Sequence, residues 1–313
     1  MKKKVVILGG GNGLSTLIRG IKNFPVDITA VVTVSDDGTS TGRLREEFNI
    51  PAVGDIRRVL VALSETEPLV EDLFNYRFNT TSELNGHTVG NLLLTAMTNI
   101  AGNMSDGIEL LGKVLNLKGK VLPLTEDNCT LMAEMTDGTI VEGEHNITET
   151  EGTIKEVFYK EKPIITPETM KAIKEADLIV LSMGSLYTSI IPNLIVKEMI
   201  DKIDQSDAKI MYVCNIMTQP GETDNFKVSD HINVLNKYLG KKKIDTVIVN
   251  NGTITSDIIE KYSVLEQKDP VILDKENISK DVKIIECDLI DTSKGTISHD
   301  VLKLGFNIFS CTL

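Results

Sequence analysis

The sequence predicts an α/β fold: a doubly wound, mostly parallel three-layer sheet of Rossmann-like type, with a small antiparallel excursion. Three observations carry this. First, residues 5–8 form an unbroken apolar run, as in a strand buried on both faces. A glycine-rich turn follows, and then Leu14, Leu17, Ile18 and Ile21 repeat at helical spacing. Second, residues 28–34 are β-branched and close a β-α-β unit, whose crossover is right-handed. Third, apolar runs at 178–181, 209–214 and 246–250 recur with helical stretches between them, which resumes the same parallel order.

The remaining elements follow from local patterns. Helices are expected near 55–63, 69–74, 89–101 and 106–115, a late strand at 282–286, and a last helix beginning within 298–305. Residues 120–165 differ in character, being rich in Thr, Glu and Gly, with short alternating pieces at 131–135 and 139–143. Asp137-Gly138 between those pieces is a hairpin signal. Residues 1–313 are therefore read as one nucleotide-binding α/β domain, with 120–165 as a β-rich excursion within it.

Composition sets limits on function. The chain has 313 residues, 41% of them hydrophobic, and a formal net charge of −12. Such an acidic chain has no general electrostatic reason to bind nucleic acid. No apolar run approaches the ~18 residues that would span a membrane. Lys2-Lys3-Lys4 imitates the start of a signal peptide, but glycines break the apolar run that follows too early for one. Cys129, Cys214, Cys287 and Cys311 show no C-x-x-C spacing and read as free thiols. A reducing compartment, hence the cytoplasm, is the expectation.

Arginine usage is uneven. Arg19, Arg43, Arg45, Arg57, Arg58 and Arg77 all lie in the first 77 residues, beside four lysines. The remaining 236 residues carry 23 lysines and no arginine. Guanidinium forks suit bidentate phosphate contacts that lysine does not copy, while structural ion pairs are the alternative use.

Six segments carry candidate chemistry. Gly9, Gly10, Gly11, Asn12, Gly13 and Ser15 form a strand-turn-helix junction whose amides would face a phosphate at a helix N-terminus. The pattern is neither G-x-G-x-x-G nor a Walker A loop, which demotes NAD and simple ATPase chemistry. Asp36 and Asp37, after the second strand, are candidate Mg²⁺ ligands, and Arg43 a phosphate ligand; a ribose contact and a turn residue are the alternatives for the two aspartates. In Gly54-Asp55-Ile56-Arg57-Arg58, Asp55 reads as a residue of a helix start, and at most one of the two arginines is expected to reach the site. His87 and Asn91 flank another helix start, with His87 a donor or an acid–base group. Gly184, Ser185 and Thr188 follow a third strand, and Asn215 and Thr218 a fourth. Open α/β sheets bind ligands at the carboxyl ends of strands, so these segments are expected to share one edge.

Together Thr33 to Gly38, Gly42 to Arg45, Gly90 to Leu92, Gly184 to Ser189 and Asn215 to Thr223 resemble the gluconeogenesis factor family of bacteria, the YvcK type. That family shares a superfamily with 2-phospho-L-lactate transferase. The resemblance implies a doubly wound three-layer fold, cytoplasmic location, binding of uridine-diphosphate sugars and a role in cell shape on gluconeogenic carbon sources. The transferase cousins imply the alternative, a Mg²⁺-dependent transfer of a nucleotide-linked phospho-lactyl group. Asn12, Thr39, Met183 and Ser298 depart from the family pattern, which tends to have Thr, Gly, Pro and Arg there. The expected partners are a nucleotide-diphosphate sugar and an unidentified protein, with homo-oligomerisation open.

Overall fold

The computed structural model describes residues 2–65, 68–293 and 296–313. Its first half runs β1 (Lys4–Gly9), α1 (Gly11–Ile21), β2 (Asp27–Val32), α2 (Thr39–Phe48), α3 (Gly54–Leu63), α4 (Pro68–Asn75), α5 (Val89–Ala101) and α6 (Met104–Val114). Then come β3 (Lys120–Pro123), β4 (Leu131–Met135), β5 (Ile140–Glu142), α7 (Glu144–Glu149), β6 (Ile154–Tyr159), α8 (Pro167–Lys174) and β7 (Leu178–Leu181). A π-helical turn at Leu186–Ile190 leads to α9 (Lys197–Gln205), β8 (Lys209–Val213), α10 (Val228–Tyr238), β9 (Thr246–Asn250) and α11 (Ser256–Glu266). The chain closes with β10 (Lys283–Cys287), β11 (Ile290–Asp291), β12 (Ser298–His299) and α12 (Val301–Ser310).

Seven strands form one sheet in the order β10-β9-β8-β7-β1-β2-β3, and every pairing in it is parallel. Strand β1 shows why both faces must be covered. Val5 and Ile7 enter one apolar cluster with α1, α3, α6 and α12, while Val6 and Leu8 enter the other with α9 and α10. Alternate residues of a strand point to opposite faces, so an apolar run without alternation needs helices on both sides. Local signals set the helix starts. Thr88, Asn103, Thr166 and Asp300 each accept backbone N–H groups of the helix they precede.

The small second sheet has the order β5-β4-β6, is antiparallel, and contains the Asp137-Gly138 turn. It begins later than the 120–165 excursion read from sequence, because residues 120–123 are β3, paired in parallel with β2. That strand is short and ends at Pro123, which has no N–H to donate and suits a sheet edge. The second strand stops at Val32 rather than 34. The last helix starts at Val301, because the Asp300 side chain accepts Leu302 N–H and Lys303 N–H, and Ser298–His299 pairs with β11 instead. Among the described residues, no helix is long and apolar enough to cross a membrane.

Helix α12 lies across α1 at a glycine crossing. A Cβ on Gly20 would stand 1.8 Å from the Val301 carbonyl oxygen, and one on Gly305 would stand 2.6 Å from Gly20 C. Both contacts are backbone, so a methyl group forces the helices apart. Gly20→Ala is expected to lower stability by about 1–3 kcal/mol through overpacking, despite a helix-propensity gain of ~1 kcal/mol. Urea denaturation measures this, and an unchanged or higher midpoint would show that α12 shifts freely.

Candidate functional site

Strand β1 connects to β2 on one side, and β7 connects to β8 on the other, so the order reverses between β1 and β7. Ligands of open α/β sheets bind at such a reversal, beyond the carboxyl ends of the strands. Here the two strand-end loops pack backbone to backbone. A Cβ on Gly13 would lie 1.8 Å from the Met183 carbonyl oxygen, so only glycine permits this approach. The Asn215 side chain holds the same loop from the next strand end. Its Oδ1 accepts Gly184 N–H at 2.9 Å and its Nδ2 donates to Gly184 O at 2.8 Å.

Glu222 ties these two loops together. Its carboxylate accepts from Ser185 Oγ at 2.6 Å, Tyr187 N–H at 3.0 Å and Gln219 Nε2 at 2.9 Å. It is 4% exposed, and burial raises its pKa against the lowering effect of these donors. Ser185 Oγ also lies 2.6 Å from Thr188 Oγ1. Thr218 is taken up in a similar way, its Oγ1 accepting Asp269 N–H at 2.9 Å. Gly184, Ser185, Thr188 and Asn215 are thus brought together, whereas Thr218 fastens the 269 segment.

Carboxylates gather around the glycine turn. Asp55 is buried against Gly10 and Gly11, accepts the Gly11 amide, and pairs with Arg58 Nη1 at 2.6 Å. Burial and the nearby Asp36 push its pKa up to about 6. An acidic side chain therefore stands where the sequence alone placed a phosphate. Asp36 accepts Gly38 N–H at 2.9 Å and Thr41 Oγ1–H at 3.0 Å. Asp37 turns the other way and accepts His145 N–H at 2.8 Å, in the first turn of α7. Beside it, the half-buried Glu144 is pushed up to about 8, by burial first and then by Asp36, Asp55, Asp37 and Glu222. Among the described residues, no group of three His, Cys, Asp or Glu side chains has metal-ligand spacing. The acidic donor set still suits a Mg²⁺ ion that keeps waters and ligand phosphates and takes one or two carboxylates.

The arginines divide by what they touch. Arg45 is buried and saturated, donating to Ser35 O, Asp36 O, Cys129 O and twice to Asn128 Oδ1. Arg19 forks onto Glu71. Arg43 and Arg77 donate to Asn85 O and Gly86 O, bracketing the loop that carries His87. His87 Nδ1 lies 3.1 Å from Ser40 Oγ, which accepts Asn91 Nδ2–H at 3.1 Å. Burial and Arg43 lower the His87 pKa, so the ring is neutral near pH 7. Arg57 and Arg58 both line one cavity of about 190 Å³ with Asn12 and Ser15. A larger concavity of about 1320 Å³ opens at Lys4, Asp27 and Lys120, where strands begin, and so lies at the opposite end of the sheet from a Rossmann-type site.

A sequence model described as 2-phospho-L-lactate transferase CofD matches residues 5–290. The chain belongs to the CofD family. Within it, the chain is 48% identical over 306 residues to a gluconeogenesis factor of Bacillus subtilis, covering 97% of this chain and 96% of the relative. It is 49% identical over 280 residues to a gluconeogenesis factor of Halalkalibacterium halodurans, covering 88% and 86%. A crystal structure of a Bacillus halodurans protein of the upf0052 family superposes with a TM-score of 0.93 at 45% identity, covering 98% of this chain and 99% of that one. The doubly wound fold and the gluconeogenesis factor resemblance both stand.

Against this CofD-family background, the sequence does not mark Asp55, Glu144 or Glu222 as site residues. Asp55 was read as a residue of a helix start, and Glu222 as part of a polar turn. Glu144 sits in the excursion, which carried no motif. Its only signal was position, directly after Gly143 and the strand 139–143.

The raised Glu144 pKa gives a pH test. Its folded value of about 8 exceeds the ordinary glutamate value of 4.5, so the folded state binds the extra proton between these limits and stability falls as pH rises through them. Glu144→Gln is expected to be more stable than the parent by roughly 1–2 kcal/mol at pH 8.5, after screening by solvent, with the gap closing near pH 4. Chemical denaturation at both pH values checks this, and an equal difference at the two would refute the repulsion.

Proposed function

We propose that this chain binds a nucleotide-diphosphate sugar, a uridine-diphosphate sugar in the first instance, and acts as a cytoplasmic regulator of the gluconeogenesis factor type, its bound state read by a protein partner. What supports this reading is the gathering, around the reversal between β1 and β7, of the glycine turn, the Asp36 loop and the Glu222-linked loops at Ser185 and Asn215. Mg²⁺, held through Asp36 or Asp37, would neutralise diphosphate charge. A regulatory reading also suits the Ser40–His87 pair, which is buried and backed by Asn91 rather than by a carboxylate.

One observation favours the second reading, a Mg²⁺-dependent transferase of a nucleotide-linked phospho-lactyl group. Glu144 stands beside Asp37 at the start of α7, a carboxyl group placed where it would exchange a proton with an acceptor hydroxyl. The family match supports the same chemistry.

A thermal-shift screen of nucleotides and nucleotide sugars, with and without Mg²⁺, separates these readings. Ligand at a hundred times its Kd is expected to stabilise the fold by about 2.7 kcal/mol, and Asp37→Asn or Arg43→Lys to shrink that shift. If no uridine nucleotide moves the midpoint with or without Mg²⁺, the binding reading is wrong. A shifted acceptor mass after incubation with guanosine-diphospho-lactate would establish the transferase instead.

A further inference from the structure

Arg57 is 5% exposed, yet its guanidinium is poorly satisfied. Nη1 donates to Asn75 Oδ1, and Nε has no partner. Among the described residues no carboxylate lies within ion-pair distance of it. The contrast with Arg45 is direct, since that buried guanidinium makes five hydrogen bonds to oxygens. Burial, with Arg58 and Arg77 nearby, lowers the Arg57 pKa to about 10, a sign of how unfavourable its charge is in this place. A buried cation left unpaired is costly, and proteins rarely keep one without a counter-charge.

The surroundings show where a counter-charge would sit. Arg57 lines the cavity of about 190 Å³ together with Asn12, Ser15, Arg19, Arg58 and Asn75. A water needs ~10–15 Å³ on this measure, so the space holds on the order of ten waters, or an oxyanion with a small organic group. Arg19 is balanced by Glu71, and Arg58 by Asp55, which leaves the Arg57 charge in excess. Asn12 and Ser15 stand near the start of α1, whose dipole end adds positive potential. The Arg57 stem is packed against α5, where a Cβ on Gly90 would stand 2.6 Å from Arg57 Cδ, so the guanidinium is not free to swing away.

We infer that this cavity is an anion-binding subsite, anchored by Arg57 and fitted to a phosphate group, whether free inorganic phosphate or the phosphate of a small monoester. The inference touches the nucleotide-sugar reading at Asn12 and Ser15, which belong to the glycine turn, while Arg57 and Asn75 are assigned to no ligand there.

The test uses the full chain and inorganic phosphate, with glycerol 3-phosphate as a second arm. Phosphate at millimolar concentration is expected to raise the melting temperature of the parent protein, and Arg57→Gln to weaken apparent phosphate affinity at least tenfold. Asn75→Asp guards against a folding failure of that variant. It places a carboxylate at the atom that already accepts from Arg57, so it is expected to raise the melting temperature of the ligand-free protein and abolish the phosphate response. A larger shift with glycerol 3-phosphate assigns the subsite to a monoester, and an equal or smaller one to free phosphate. The inference is overturned if neither anion shifts the parent protein, or if both variants keep the parent's response. A uridine-diphosphate sugar is tested on the parent protein in parallel: a shift with the sugar and none with phosphate overturns the subsite and leaves the nucleotide reading standing, and a shift with phosphate alone does the reverse.

Discussion

The site is organised around one buried carboxylate. Asp55 sits against Gly10 and Gly11, accepts the Gly11 amide, and is held by Arg58. Each partner limits the others. The amide and the guanidinium favour the charged form, while burial and Asp36 favour the neutral one, and the result is a group that titrates within reach of physiological pH. Asp55 joins the glycine turn to Arg58 and has Asp36 as a second charged neighbour, and both carboxylates act on Arg57, so acidic and basic groups meet at this one place.

The loops on the far side of the turn are ordered by a different economy. Glu222 receives donors from the loops after β7 and β8, and Asn215 grips the Gly184 peptide on both sides. Side chains that resemble ligand contacts in sequence are engaged here in holding two loops in fixed relation. A ligand would meet a surface set in advance rather than one it must order, which lowers the entropic cost of binding.

The parts of the fold that sequence made legible were those written as long or repeated patterns. The runs at 5–8, 178–181 and 246–250 read as buried strands because nothing but burial on two faces explains an unbroken apolar run. Residues 120–123 did not, since a four-residue edge strand with Pro123 carries almost no periodicity and lies beside a Thr-rich stretch that signals hairpins. Ser298–His299 was misjudged because the helix signal at Asp300 falls two residues later. At the site, the strand-end segments were found from their positions after strands, but their roles were not. Arg45 and Arg57 are the same residue type in the same arginine-rich stretch, and only the count of oxygens around each shows that one is saturated and the other is not. The repulsion of Glu144 by Asp36 crosses from the small sheet's connection to the main sheet, and no spacing in the chain encodes it.

The crossing of α1 by α12 bears on the order in which the molecule is completed. Gly20 and Gly305 touch from nearly opposite ends of the chain, and that contact covers the face of α1 opposite its site-forming first turn. During synthesis α1 emerges early and can pack on β1 and α3, but its seat against α12 closes only when the last helix is made. Contacts of such sequence separation form late and slowly. A nascent chain stalled before α12 would therefore present the far end of α1 uncovered.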